Sequence, residues 1–229
     1  MSDAREASVA AAVAAAPRLA VALGEYDIGW HDPAASLRGA ESVVARAAAG
    51  GARLVVLPEM ATTGFTMETA RAVPLDSPEV GRLREIAAMH GVWLAAGVAL
   101  RDPARDRAVN GLVVIEPTGA IAAVHLKRRL FAYGDEDQFY APGDESTVVT
   151  IDGVRTALFI CYELRFPELF AAVADRVDLM LVVANWPAAR RAHWDTLLRA
   201  RAIESQCALV GVNRTGEGGG LAYDGGSIA

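Results

Sequence analysis

Three residues of different chemistry stand where apolar runs give out: Glu59 after Val55-Val56-Leu57-Pro58, Lys127 after Ala123-Val124-His125-Leu126, and Cys161 after Ala157-Leu158-Phe159-Ile160. Reactive groups in α/β proteins gather in the crevice beyond the carboxyl ends of the strands, so the pattern predicts a carboxylate, an ammonium and a thiol along one sheet edge. A thiol at a strand-to-helix turn sits near the positive end of a helix dipole, and a nearby ammonium would lower its pKa further toward thiolate. Such a thiol is an activated nucleophile. The carboxylate could take its proton and later pass it to a leaving amine, while the ammonium holds the oxyanion of a tetrahedral intermediate. Taken singly, each residue has a plainer reading: Cys161 as a buried structural thiol, Lys127 as a solvated cation, Glu59 as a helix cap. Their joint placement at strand ends favours the site.

Apolar runs at 18–23, 54–57, 92–98, 111–116, 120–126, 156–160, 179–184 and 208–212 read as strands. Several are continuous rather than alternating, as in strands covered on both faces. Helices are predicted at 34–49, closed by Gly50-Gly51, and at 77–89, where Ser77-Pro78-Glu79 supplies an N-cap, a first-turn proline and an early acid. Further helices are expected at 166–174 and 188–206. Pro117-Thr118-Gly119 makes 111–116 and 120–126 an antiparallel hairpin. Strands alternating with helices, plus a hairpin, imply an α/β layered fold with a mixed sheet. Residues 216–226, rich in Gly, read as a flexible loop. A single domain is expected over 18–229, after an Ala-rich tail at 1–17 that reads as disordered. Asp3, Glu6 and Pro17 in that tail do not fit a secretory signal.

The 229 residues are 53% hydrophobic and 22% charged, which argues against disorder. A formal net charge of −6, with no basic run longer than Lys127-Arg128-Arg129, makes nucleic acid or an anionic membrane surface a poor partner and a small molecule a better one. No stretch approaches the roughly 18 apolar residues of a membrane helix. Two cysteines, Cys161 and Cys207, fit a reducing cytoplasm. Cys207 reads as buried and inert. His31, His90, His125 and His193 show no zinc spacing, and the glycines at 216–220 lack the context of a phosphate loop, so neither metal nor cofactor is expected. His125 and His193 leave a Cys-His hydrolase as a minor alternative.

Leu57-Pro58-Glu59-Met60, Lys127-Arg128-Arg129-Leu130-Phe131 and Cys161-Tyr162-Glu163-Leu164-Arg165-Phe166-Pro167 resemble, in order and spacing, the three signatures of the nitrilase or carbon-nitrogen hydrolase superfamily. The likeness extends through Ala184-Asn185-Trp186-Pro187, His193-Trp194 and Arg199-Ala200-Arg201. It implies an αββα sandwich that pairs into a homodimer, and a Glu-Lys-Cys triad that hydrolyses non-peptide C–N bonds through a thioester. By that match Glu59 is the general base and acid, Lys127 the oxyanion stabiliser and Cys161 the nucleophile. Glu136 takes the place of a supporting glutamate, with a solvated acidic loop beside Asp135 and Asp137 as its plainer reading. Tyr162 lends its backbone N–H to the oxyanion, and Phe131, Asn185 and Trp186 are expected around the substrate.

The wording Thr63-Gly64-Phe65-Thr66-Met67 and Ala184-Asn185-Trp186-Pro187 is similar to the omega-amidase branch, which deamidates small 2-oxo acid amides. A carboxylate distal to the amide needs a cationic clamp, and Arg165 offers a guanidinium that can bind it bidentately. Arg165 could equally hold Glu163 or Glu168 in a structural pair. Nitrilases usually show Cys-Trp-Glu where this chain has Cys161-Tyr162-Glu163, which favours amide over nitrile. Another amidase or carbamoylase of the superfamily, or a non-catalytic or partner-dependent member, are the alternatives. Relative to the family pattern, a C-terminal strand pair and tail are expected to be lacking, leaving the strand at 208–212 with an open edge.

Overall fold

The computed structural model describes residues 18–229; the tail expected at 1–17 lies outside the described residues. The chain runs β1 (Val21–Leu23), α1 (Pro33–Ala49), β2 (Leu54–Val56), α2 (Pro78–His90), β3 (Trp93–Leu100), β4 (Ala108–Ile115), β5 (Ile121–Leu126), α3 (Glu136–Phe139) and β6 (Tyr140–Ala141). It continues through β7 (Val148–Ile151), β8 (Val154–Ile160), α4 (Pro167–Ala171), β9 (Leu179–Ala184), α5 (Arg191–Ser205), β10 (Ala208–Asn213), β11 (Thr215–Gly218) and β12 (Leu221–Asp224). The first sheet has the order β1-β2-β3-β4-β5, with β6 also on β4; the second has the order β10-β9-β8-β7. Each mixes parallel and antiparallel pairs: β2 runs parallel to β3, and β4 runs antiparallel to β3 and β5 and parallel to the short β6, while β8 runs parallel to β9 and antiparallel to β7.

Because side chains alternate along a strand, continuous apolar runs feed two cores at once. Leu54, Val56, Leu112 and Val114 of the first sheet meet Leu158, Ile160, Leu181, Val183, Val210 and Val212 of the second. Val55, Leu94, Val98 and Val113 turn the other way, onto Val43 and Val44 of α1 and Leu83 and Ile86 of α2. On the far side Phe159, Met180 and Val182 pack under Leu169 and Phe170 of α4 and Trp194 and Leu198 of α5. Three stacked cores make four layers, the αββα sandwich.

The helix ends are fixed by the sequence signals. Asp32 accepts from the Ala35 N–H at 2.9 Å ahead of Pro33, and Ser77 accepts from Val80 at 3.3 Å ahead of Pro78. Gly91 closes α2 at φ 62°, a left-handed position that suits glycine.

Three expectations change. The helix expected over 166–174 is only Pro167–Ala171, flanked by 3-10 turns at Cys161–Arg165 and Ala174–Arg176. The Gly-rich stretch read as a flexible loop is the hairpin β11–β12, pairing Thr215 with Asp224 and Gly218 with Leu221, its turn made by Gly219 and Gly220 at positive φ. Nor is the outer edge of β10 wholly open, because Gly211 and Ile228 exchange backbone hydrogen bonds of 2.8 and 3.0 Å. Trp194 donates its indole N–H to the Gly226 carbonyl at 2.8 Å, which ties the end of the described chain to α5.

Leu181, fully buried between the sheets, tests the sandwich. Leu181→Ala should lower unfolding free energy in urea by about 2–5 kcal/mol, and a loss below about 1 kcal/mol would mean that the sheets do not pack through this layer.

Candidate active site

Glu59, Lys127, Glu136 and Cys161 reach one point from four separate segments. Glu59 follows β2, in a turn that lies directly on β3. A Cβ on Gly97 of β3 would stand 2.5 Å from the Glu59 Cα and 2.6 Å from the Met60 nitrogen, so the close approach requires glycine there. Lys127 stands just past β5, its N–H donating to the Asn110 carbonyl at 2.8 Å. Glu136 opens α3, and its Oε2 accepts the Phe131 N–H at 2.7 Å. Cys161 ends β8 at φ 48°, a left-handed conformation uncommon for a residue with a side chain.

Lys127 Nζ donates to Glu59 Oε1 at 2.8 Å and to Glu136 Oε1 and Oε2 at 3.1 and 2.8 Å, all three residues having no exposed surface. Burial alone would pull the lysine down, but Glu136 and Glu59 more than offset it and hold the ammonium above the usual lysine range. The Asn185 N–H donates to Glu59 Oε2 at 2.9 Å, and its side-chain amide donates to the Glu59 carbonyl.

The Cys161 thiol departs from expectation. Burial first, then the Glu59 charge and a hydrogen bond with it, push the thiol well above its ordinary value, and Lys127 opposes them only in part. The turn that follows is a five-residue 3-10 segment rather than the start of a long helix, so it brings little dipole to lower the thiol. The surroundings favour a thiol beside a carboxylate over a standing thiolate.

Glu163 braces this arrangement. Its carboxylate accepts the Ile160 N–H at 2.6 Å, just before Cys161, and the Arg128 N–H at 2.9 Å, just after Lys127. The His125 ring lies 3.1 Å from the same carboxylate, and His193 lies 3.2 Å from Arg165. Among the described residues neither histidine hydrogen-bonds Cys161, which removes the geometry of a Cys-His pair.

Cys161 opens into a cavity of about 330 Å³ whose walls include Phe131, Tyr162, Asn185, Trp186 and Arg165, all expected near substrate. Glu59, Lys127 and Glu136 sit behind it. The structural pairing open to Arg165 does not occur: Glu163 is engaged as above and Glu168 faces Arg129 at 3.4 Å. Arg165 instead lies over the Trp186 ring at 4.8 Å, without a carboxylate partner among the described residues. Arg190, which the sequence did not single out, lines the same cavity over the Phe131 ring at 5.5 Å, likewise without a carboxylate partner among the described residues. Tyr223 of β12 is another unforeseen wall, its phenol pushed up to about 12 by burial despite Arg214. Asn110, fully buried on Glu59 and Glu136 and not part of the cavity wall, is a third residue the sequence did not single out, a polar residue inside an apolar strand, which was the available signal. Cys207 is only half-buried and lies apart, near the Val177 carbonyl.

A thiol, a buried carboxylate and a buried ammonium at the back of an αββα cavity define a cysteine-type hydrolase site, and relatives agree. The family model described as carbon-nitrogen hydrolase matches residues 10–229, and the chain belongs to that family. It is 38% identical over 215 residues to an omega-amidase, YafV, of Yersinia enterocolitica, covering 92% of this chain and 80% of that one. It is 32% identical over 199 residues to a 2-oxoglutaramate amidase of Bacillus subtilis, covering 84% and 74%. Among solved structures, XC1258 of Xanthomonas campestris, a protein of the same superfamily with an arsenic adduct in its active site, superposes with a TM-score of 0.85 at 38% identity over 91% of this chain and 81% of that one. A glutamate-to-glutamine mutant of an amidase from Nesterenkonia sp. AN1, in which acrylamide has added to the active-site cysteine, gives 0.84 at 27% identity over 92% and 84%.

The electrostatics around the sulfur carry a sign that can be measured. Glu59→Gln keeps the side chain's shape and removes the charge that raises the thiol, leaving Lys127 to lower it. The midpoint of iodoacetamide alkylation at Cys161, followed by mass spectrometry across pH, should fall by about one to three pH units. An unchanged or higher midpoint would show that Glu59 does not act on the sulfur.

Proposed function

We propose that this chain hydrolyses the C–N bond of small primary amides bearing a carboxylate away from the amide, as in omega-amides of 2-oxo dicarboxylic acids, and releases ammonia. The observation that carries the reading is a thiol beside a buried carboxylate and a buried ammonium, opening into an aromatic cavity that holds two guanidinium groups without carboxylate partners among the described residues. The names of the relatives support the amide class, and Arg165 supports the distal carboxylate.

In this reading Glu59 takes the thiol proton as Sγ attacks the amide carbonyl carbon. The carbonyl electron pair moves to oxygen, and the resulting oxyanion is held by the Lys127 ammonium and the Tyr162 N–H. As the oxyanion collapses, the C–N bond breaks and Glu59 returns its proton to the departing nitrogen, which leaves as ammonia. Water then attacks the thioester with Glu59 again as base, the C–S bond breaks, and the acid product and the thiol are restored. Glu136 keeps the ammonium fixed through both half-reactions. Phe131, Tyr162 and Trp186 supply the apolar walls that dry the site, and Asn185 holds Glu59 in place.

The same reading places the enzyme in a reducing compartment such as the cytoplasm, where the free thiols Cys161 and Cys207 persist. It also pairs two copies through the outer helices, where Ile203 of α5 is 75% exposed.

The deciding measurement is ammonia release across a panel of omega-amides of dicarboxylic acids, neutral amides, carbamoyl compounds and nitriles. Release should be fastest with the acidic amides, and Cys161→Ala should abolish it with an unchanged fold. Lys127→Arg should also fail, because a planar fork cannot replace a compact ammonium beside a tetrahedral oxyanion. Arg165→Leu should raise KM for acidic amides roughly tenfold or more while sparing neutral ones, as expected for losing hydrogen bonds to a charged group. Turnover by Cys161→Ala, or no turnover by the parent chain, would overturn the reading.

A further inference from the structure

Asn110 occupies the middle of β4, a strand otherwise made of Ala108, Val109, Gly111, Leu112, Val113, Val114 and Ile115, and it has no exposed surface. Asparagine is depleted in strands, and a buried amide is unfavourable unless it is hydrogen-bonded. Its Nδ2 donates to Glu59 Oε1 and to Glu136 Oε1, both at 2.8 Å. Those same two oxygens accept from Lys127 Nζ, and the Asn110 carbonyl accepts the Lys127 N–H. Asn110 therefore touches both buried carboxylates with its side chain and is joined to the residue that carries the buried ammonium through the backbone.

The amide orientation is set by these partners. Turned over, Oδ1 would oppose two carboxylate oxygens, whereas as it stands Oδ1 is left without a hydrogen-bond partner among the described residues. A side chain present only to fill space would not leave a buried acceptor unpaired in order to present both of its N–H groups to carboxylates.

We propose that Asn110 is a positioning residue that keeps Glu59 available as the base, by donating to it and to Glu136 together so that two carboxylates share one ammonium without either holding a proton. The inference rests on the hydrolase reading above and adds a residue to it. Two carboxylates around a single cation carry a net negative charge in a dry place, and like charges so close favour protonation of one of them. A carboxylate that already holds a proton cannot take one from Cys161. The other titratable groups facing this cluster are Lys127 beyond β5, Cys161 beyond β8, Tyr140 of β6 and Tyr223 of β12. None of them donates to both carboxylates except Lys127 itself.

The test separates tuning from scaffolding. Asn110→Leu, near in size but without donors, should move the acid limb of kcat/KM upward by about one to two pH units, with activity well above that limb within about tenfold of the parent. Asn110→Asp, which adds an acidic group beside the two carboxylates, should move the acid limb upward at least as far, and Asn110→Ser, which keeps one donor, should move it less than Asn110→Leu. Alkylation of Cys161 by iodoacetamide at neutral pH should be faster in Asn110→Leu, because a less stable Glu59 anion favours the form in which the proton lies on Glu59 and the sulfur is thiolate. This arm needs no turnover, so it reads Asn110 even if the parent chain releases no ammonia and the hydrolase reading fails. An even loss of activity at every pH, with an unmoved acid limb and unchanged alkylation, would overturn the proposal and make Asn110 a packing residue.

Discussion

The fold is organised around one expensive interaction, the fully buried ammonium of Lys127 held between the carboxylates of Glu59 and Glu136. Taking a single charge out of water without a partner is prohibitive, and a buried pair is tolerable only when its remaining lone pairs and protons are satisfied. That requirement fixes the surroundings. Glu59 takes donors from Lys127, Asn110 and Asn185, and Glu136 takes them from Lys127, Asn110 and the Phe131 N–H. The turns after β2 and β9, the end of β5 and the start of α3 are therefore tied to one centre. Gly97 has no side chain because the Glu59 turn lies against it.

The sandwich itself was legible because its strands are buried on both faces, so that unbroken apolar runs mark them and the residue that ends each run marks the sheet edge. β9 at Leu179–Ala184 and the hairpin of β4 and β5 follow from this rule. What escaped it is short, polar or defined by partners far away in sequence. β7 carries the β-branched segment Val148-Val149-Thr150-Ile151, but it is only four residues long and mostly exposed or half-exposed, so it does not stand out as a strand covered on both faces. The hairpin β11–β12 is built from glycines whose pairing needs Tyr26, Asn213 and Arg214 around it. Asn110 is visible as an oddity in its strand, but the carboxylates that explain it lie 51 and 26 residues away. Arg190 looks like a solvated cation until Phe131 is seen beneath it.

The cavity shows how a guanidinium can be held without a carboxylate partner among the described residues. Many arginines here close on carboxylates, as Arg53 does with Asp152 and Arg155 with Asp178. Arg165 and Arg190 lie instead over Trp186 and Phe131, where the ring faces attract a guanidinium without using up its N–H donors. The aromatic walls thus serve two ends at once, drying the space in front of Cys161 and holding donors ready in it.

Drying has a consequence for the sulfur. A permanently ionised thiolate in an open cavity would be the more readily oxidised and alkylated form. Here burial and the Glu59 charge keep the thiol protonated, while Lys127 pulls in the opposite direction. In the proposed reaction the proton moves only to the neighbouring Glu59 carboxylate, and the thiolate that results lies in the field of the Lys127 ammonium. The left-handed backbone at Cys161, which costs about 1–3 kcal/mol in a residue with a side chain, is the strain that turns the sulfur out of β8 toward that pair. Glu163, gripping the residue before the nucleophile and the residue after the lysine, is what holds the strain in place.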